Sequence, residues 1–134
     1  MGEPQGGRKK ILVLDDEANV STYLETLLQD NGYDTVSAAD GSEGMEKLRS
    51  EKPDLVTLDI SMPGTDGVEV FRQLRGAPET QTIPICVVTG HPEFREVIYA
   101  VPTAKPEGYM HKPVDPGDLV NGLRRIFELK DKKQ

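Results

Sequence analysis

A chain of 134 residues, 36 % hydrophobic and 29 % charged, has the size of one domain, and its apolar residues are clustered enough to form a core. A formal net charge of −7 sets it against polyanions, so neither direct nucleic-acid binding nor attachment to an anionic membrane is expected. The single cysteine, Cys86, rules out an internal disulfide, and no apolar run has the length of a membrane span, so the expected setting is the cytoplasm.

Residues 1–8 are Gly-rich and polar, without the apolar stretch of a secretory signal, and read as a loose tail. "ILVL" (11–14) is a short run of branched residues, a buried strand that ends against the acidic pair Asp15-Asp16. Val20, Leu24, Leu27 and Leu28 then recur at helical spacing until Asn31-Gly32 stops the helix. "DTVSA" (34–38) is a weaker strand, followed by a helix with Met45 and Leu48 inward and Pro53 at its end. "DLVTLD" (54–59) is an apolar strand closing on a carboxylate, and "TDGVEVFRQLRG" is a helix with Val68, Phe71 and Leu74 on one face. "IPICVVTG" (83–90) is the clearest strand, with Cys86 as an inert core residue. "PEFREVIYAV" starts a helix that Pro102 cuts short, with Phe94 and Tyr99 as packing residues. "GYMHKP" (108–113) is a short strand, and the last helix takes Asp115 as N-cap and Pro116 as first residue, with Leu119, Leu123 and Ile126 inward.

Strand and helix thus alternate five times. Continuous apolar strands between amphipathic helices predict a parallel sheet covered on both faces, and right-handed crossovers make it an open, doubly wound α/β fold of the flavodoxin-like kind. Ligands of such sheets sit at the carboxyl ends of the strands, at the switch in strand order.

That edge collects Asp15-Asp16 from the first strand, Asp59 from the third, Thr89 from the fourth and Lys112 from the fifth. Alone, each has an ordinary reading: a solvated acidic loop or helix cap, a turn former before Met62-Pro63, a β residue, a surface lysine. Together they define chemistry. Three crowded carboxylates do not all ionise comfortably without a cation, and an oxygen-only donor set selects a hard ion such as Mg²⁺, for which Mn²⁺ can substitute. No Cys/His cluster favours zinc. With the cation bound, one carboxylate can attack phosphorus, while a lysine and a hydroxyl spread the charge of the phosphoryl oxygens.

The four motifs, "DD" at 15–16, "LVTLDISMPGTDG" around Asp59, "VVTG" with Thr89 and "HKP" with Lys112, resemble in order and interval the receiver domain of two-component response regulators. The resemblance covers residues 9–129, leaving tails at 1–8 and 130–134 and no length for an output domain, so a single-domain, stand-alone switch is expected. It implies that Asp59 is the phosphoacceptor, taking its phosphoryl group from a phosphohistidine of a sensor histidine kinase or phosphotransfer protein and passing the signal to a partner protein or a further relay. It also implies that Asp16 ligates Mg²⁺ directly and Asp15 largely through water, with Asp59 and the Ser61 backbone carbonyl completing the set. Thr89 and Lys112 bind the phosphoryl group, Thr89 and Tyr109 form the conformational switch, and Pro113 follows a cis peptide. Such a chain is not an enzyme on other substrates but catalyses its own phosphorylation and dephosphorylation.

His91, two residues past Thr89, is either an exposed loop residue or a modulator of hydrolysis, and His111, next to Lys112, is read as a partly buried or surface residue rather than a catalyst. "VPTAKPEGY" (101–109) departs from the family's usual small-residue turn before the fifth strand, on the usual signalling face. The competing function is a haloacid-dehalogenase-like phosphatase with Asp59 as nucleophile. That chemistry needs an acid two residues later, where this chain has Ser61. A P-loop nucleotide enzyme ranks lower still, since no GxxxxGK[ST] occurs.

Overall fold

The computed structural model describes residues 8–60, 67–91, 94–100 and 105–132. Five strands, β1 (Lys10–Leu14), β2 (Asp34–Ala38), β3 (Leu55–Leu58), β4 (Ile85–Thr89) and β5 (Gly108–His111), form one sheet. Five helices alternate with them: α1 (Ala18–Asp30), α2 (Gly41–Glu51), α3 (Gly67–Gly76), α4 (Phe94–Tyr99) and α5 (Pro116–Lys132). The sheet order is β2-β1-β3-β4-β5 and every pairing is parallel, so the expected open, doubly wound sheet is the observed one.

Strand periodicity splits the core in two. Leu12, Leu14, Val56, Leu58, Ile85 and Val87 pack with Leu48 of α2, Phe71 and Leu74 of α3 and Ile98 of α4. Ile11, Val13, Leu55, Cys86 and Val88 pack with Leu24 and Leu28 of α1 and Leu119, Leu123, Ile126 and Phe127 of α5. The central strands are buried on both faces, which is why β1, β3 and β4 read as unbroken apolar runs. Cys86 is fully buried, and burial pushes its thiol up to about 12, as suits an inert core residue.

Helix ends follow the expected chemistry. Gly32 takes φ +94 just past α1, a left-handed conformation that suits glycine, and the amide of Asp118 donates to Asp115 Oδ2 at 2.9 Å at the start of α5. α5 runs to Lys132, with Lys130 and Lys132 in its last turn where cations suit the helix dipole. α4 has six residues, as short as Pro102 predicts. Among the described residues, no helix is long and apolar enough to cross a membrane.

Candidate functional site

The register of the sheet assembles the site. Leu14 and Leu58 are partners across β1 and β3, so Asp15 and Asp59, one residue on, emerge side by side. The amide of Asp59 donates to Leu14 O at 2.9 Å, continuing the ladder up to the acidic residues. β1 is followed by β2 on one side and flanked by β3 on the other, so the switch in strand order falls between β1 and β3, the strands that end in the acids. Thr89 pairs with His111 across β4 and β5, and the amide of Lys112 then donates to Thr89 O at 2.9 Å. The backbone therefore delivers the lysine to the edge that carries the acids.

Asp15 and Asp59 are 3 % and 2 % exposed, and Thr89 is fully buried. Lys112 Nζ reaches Asp15 Oδ2 at 2.9 Å, Glu17 Oε1 at 3.1 Å and Asp59 Oδ2 at 3.3 Å. Asp15 is further held by the amide of Glu17, which donates to its Oδ1 at 2.9 Å. The Thr89 hydroxyl accepts from the amide of His91 at 3.1 Å, and the His91 residue itself is exposed. The bond between Lys112 and Pro113 is cis.

Burial holds the Asp15 carboxyl above its ordinary range, although the Lys112 ammonium and the Glu17 amide oppose the shift. Asp16 is also raised, first by local desolvation and then by its contact with Asp59. Desolvation alone would lower Lys112, but its bonds and charge interactions with Asp15, Asp59 and Glu17 carry it above the usual lysine range. Without a dication, these acids are a negative cluster around the Lys112 ammonium.

Carboxylate oxygens of Asp15, Glu17 and Asp59 all lie within 4.8 Å of one another, and the buried pair Asp15 and Asp59 supplies hard oxygen donors that fit Mg²⁺. Asp16, expected as the direct ligand, is exposed and stands outside that triplet, although it touches Asp59. Ser61, the expected carbonyl ligand, lies outside the described residues. Glu17 has no role in the motifs that carry the resemblance. The signal available for it is a third acid directly after the pair, at the same sheet edge.

Tyr109 is half-buried on β5. Its ring meets Tyr99 at 6.1 Å and His111 edge-on at 5.6 Å between centroids. The Arg95 guanidinium lies 5.1 Å from the Tyr109 centroid and 4.9 Å from that of Tyr99, tying α4 to β5. Beside the site, a groove of about 560 Å³ runs along α1, lined by Glu17, Val20, Tyr23, Lys112 and Pro113.

An open doubly wound sheet with a carboxylate cluster and a lysine at its carboxyl edge is an arrangement suited to holding a cation and a phosphoryl group. The family model for the response regulator receiver domain matches residues 11–124, and the chain belongs to that family. It is 39 % identical over 119 residues to the alkaline phosphatase synthesis transcriptional regulatory protein PhoP of Bacillus subtilis, a match covering 89 % of this chain and 48 % of PhoP. It is 33 % identical over 124 residues to the DNA-binding response regulator MtrA of Mycobacterium leprae, covering 92 % of this chain and 53 % of MtrA. Among solved structures, a CheY-like receiver domain protein from Methanospirillum hungatei superposes with a TM-score of 0.86 at 25 % identity, covering 96 % of this chain and all of that one. The chemotaxis response regulator CheY4 of Vibrio cholerae gives 0.79 at 30 % identity, covering 89 % of this chain and 98 % of CheY4.

These relatives correct one expectation. The chain's net charge argues against a direct nucleic-acid partner, yet MtrA is by name a DNA-binding regulator and PhoP a transcriptional one. The chain spans about half the length of these curated relatives. Net charge describes the surface of a receiver domain and carries no information about what such a domain is joined to.

Proposed function

We propose that Asp59 is the phosphoacceptor of this receiver domain and that it takes the phosphoryl group from a phosphohistidine of a sensor kinase or phosphotransfer protein. The observation that carries this reading is Lys112, whose ammonium stands between the buried Asp15 and Asp59 at 2.9 and 3.3 Å. A buried carboxylate with a lysine at hydrogen-bond distance is a nucleophile with a cation poised for the charge it will acquire.

An Asp59 oxygen attacks phosphorus as the phosphorus–nitrogen bond of the donor breaks, and the pair of electrons leaves with the imidazole. Lys112 then pairs with the phosphoryl oxygens, and the Thr89 hydroxyl, which accepts from the His91 amide, donates its proton to one of them. Water later attacks the phosphorus, the bond to the Asp59 oxygen breaks, and inorganic phosphate leaves with the Asp59 carboxylate restored; His91, exposed beside Thr89, bears on that hydrolysis. Asp15, Asp16 and Asp59, with the Ser61 carbonyl, would hold Mg²⁺, which neutralises the carboxylates and the incoming phosphoryl charge. Thr89 moving toward the phosphoryl group would change the packing of Tyr109 against Arg95 and Tyr99, carrying the change to the α4–β5 face.

The test is incubation with acetyl phosphate and Mg²⁺ followed by intact mass measurement. A single phosphoryl adduct is expected on the natural chain and none on Asp59→Asn. An adduct that persists in the variant would assign the acceptor elsewhere.

A further inference from the structure

We propose that Glu17 is a positioning residue for Lys112, keeping its ammonium at the mouth of the pocket when a divalent cation takes over the carboxylates of Asp15 and Asp59. The inference rests on the metal reading above.

The geometry gives Lys112 three carboxylate partners of two kinds. Asp15 and Asp59 are buried, whereas the Glu17 side chain is 61 % exposed. A dication on the buried pair competes with the ammonium for the same oxygens and repels it. Glu17 Oε1, 3.1 Å from Lys112 Nζ, is a partner the ammonium keeps without either buried carboxylate.

The backbone supports the assignment. Glu17 occupies the N-cap of α1 with φ −92 and ψ 110, yet its side chain makes no capping bond. Caps are usually Ser, Thr, Asp or Asn, whose short side chains fold back on the first turn. Here the longer side chain reaches across to the loop after β5, joining residues 95 apart in sequence. Glu17 and Lys112 also share the wall of the groove along α1, so their ion pair lies at the open side of the site.

Glu17 therefore couples to Lys112 through the metal equilibrium, and a double-mutant cycle in Mg²⁺ affinity reads that coupling directly. Mg²⁺ is titrated calorimetrically into the natural chain, Glu17→Gln, Lys112→Met and the double variant. Glu17→Gln should weaken Mg²⁺ about three- to five-fold in the natural background, the scale of a solvent-exposed ion pair. In the Lys112→Met background the same change should weaken it by a clearly smaller factor, because only the direct pull of the Glu17 charge on the cation is then lost. An equal factor in both backgrounds, or none in the natural one, would overturn the proposal while leaving the metal reading intact. Absence of Mg²⁺ binding by the natural chain would overturn both. Urea midpoints without metal confirm that each variant is folded, and Lys112→Gln serves in place of an unfolded Lys112→Met.

Discussion

Lys112 Nζ lies closer to Asp15 Oδ2, at 2.9 Å, than to Asp59 Oδ2, at 3.3 Å. This ammonium is thus shared between a carboxylate expected to serve the metal and the carboxylate expected to take the phosphoryl group. Lys112→Met takes that cation away from two buried carboxylates. Removing one partner of a buried ion pair costs about 3 kcal/mol, so the urea midpoint of the metal-free protein should fall accordingly. Millimolar Mg²⁺ should recover part of that loss, because it binds only the folded site and restores positive charge to it. Equal midpoints for the variant and the natural chain would show that the ammonium does not stabilise this cluster.

The pH dependence of metal binding has a definite sign. Asp15 and Asp16 are both raised above the ordinary aspartate value of 3.8. A raised carboxyl holds its proton to higher pH, and a cation must displace that proton to bind. Mg²⁺ affinity should therefore begin to fall, as pH is lowered, before an ordinary aspartate would protonate. Lys112 is raised too, so its contribution to stability is complete below 10.5 and is lost only as pH rises through its folded value. Calorimetric titrations from pH 7 down to about 4 check the acid limb. An affinity that held constant until pH 4 would contradict the raised carboxyls.

Much of this site is legible in the sequence, for a specific reason. The strands carrying Asp15, Asp59, Thr89 and Lys112 are short buried runs, and parallel topology sends all their carboxyl ends to one edge. Glu17 is not legible as a partner of Lys112, because an exposed acid next to two others carries no periodic signal and the contact spans 95 residues. The resemblance favours Asp16 over Asp15 as the direct ligand, and the structure distinguishes the two only in that Asp15 is buried against Lys112 whereas Asp16 is exposed. The exclusion of nucleic acid fails because net charge is a property of the whole surface and not of a partner's binding face.

Gly67 tests how tightly the end of β3 is tied to α3. A Cβ built there would collide with the carbonyl oxygen of Ile60 and lie 2.5 Å from its Cα, both backbone atoms next to Asp59. The Gly67 amide also donates to Ile60 O at 3.1 Å, which fixes the approach. Backbone cannot yield as a flexible side chain does, so Gly67→Ala should destabilise by about 3 kcal/mol, the upper range for overpacking. Because Ile60 follows Asp59, the variant should also take up less phosphoryl group from acetyl phosphate under conditions where it remains folded. A variant with natural stability would show that this turn relaxes freely.

Arg75 holds the opposite edge of the sheet. Its side chain is 6 % exposed, and its guanidinium lies 5.4 Å from the centroid of Phe71. Nη1 donates to Ile83 O at 2.8 Å, and Nη2 to Lys105 O at 2.9 Å and to Glu107 Oε1 at 2.6 Å. Glu107 Oε1 also accepts from the Ile85 amide at 2.8 Å. One planar fork thus joins the end of α3, the start of β4 and the chain entering β5, where the sequence departs from its family's usual turn. Arg75→Met removes a buried cation and leaves these carbonyls without their donor, a loss of about 3 kcal/mol. Arg75→Lys should recover little of it, because a single ammonium cannot reach carbonyls on two segments at once. Glu107→Gln should cost less, about 1 kcal/mol, since that carboxylate is 41 % exposed and an amide oxygen can still accept from Ile85. Phosphoryl uptake at Asp59 should persist in all three under native conditions, because the clamp sits at the amino edge of the strands and the acids at the carboxyl edge. Hydrogen exchange supplies the finer readout, with the amides of Glu107 and Gly108 opening faster in Arg75→Met while those of β1 follow only the global change. Full stability in Arg75→Lys would show that charge alone, without the fork, secures the entry to β5.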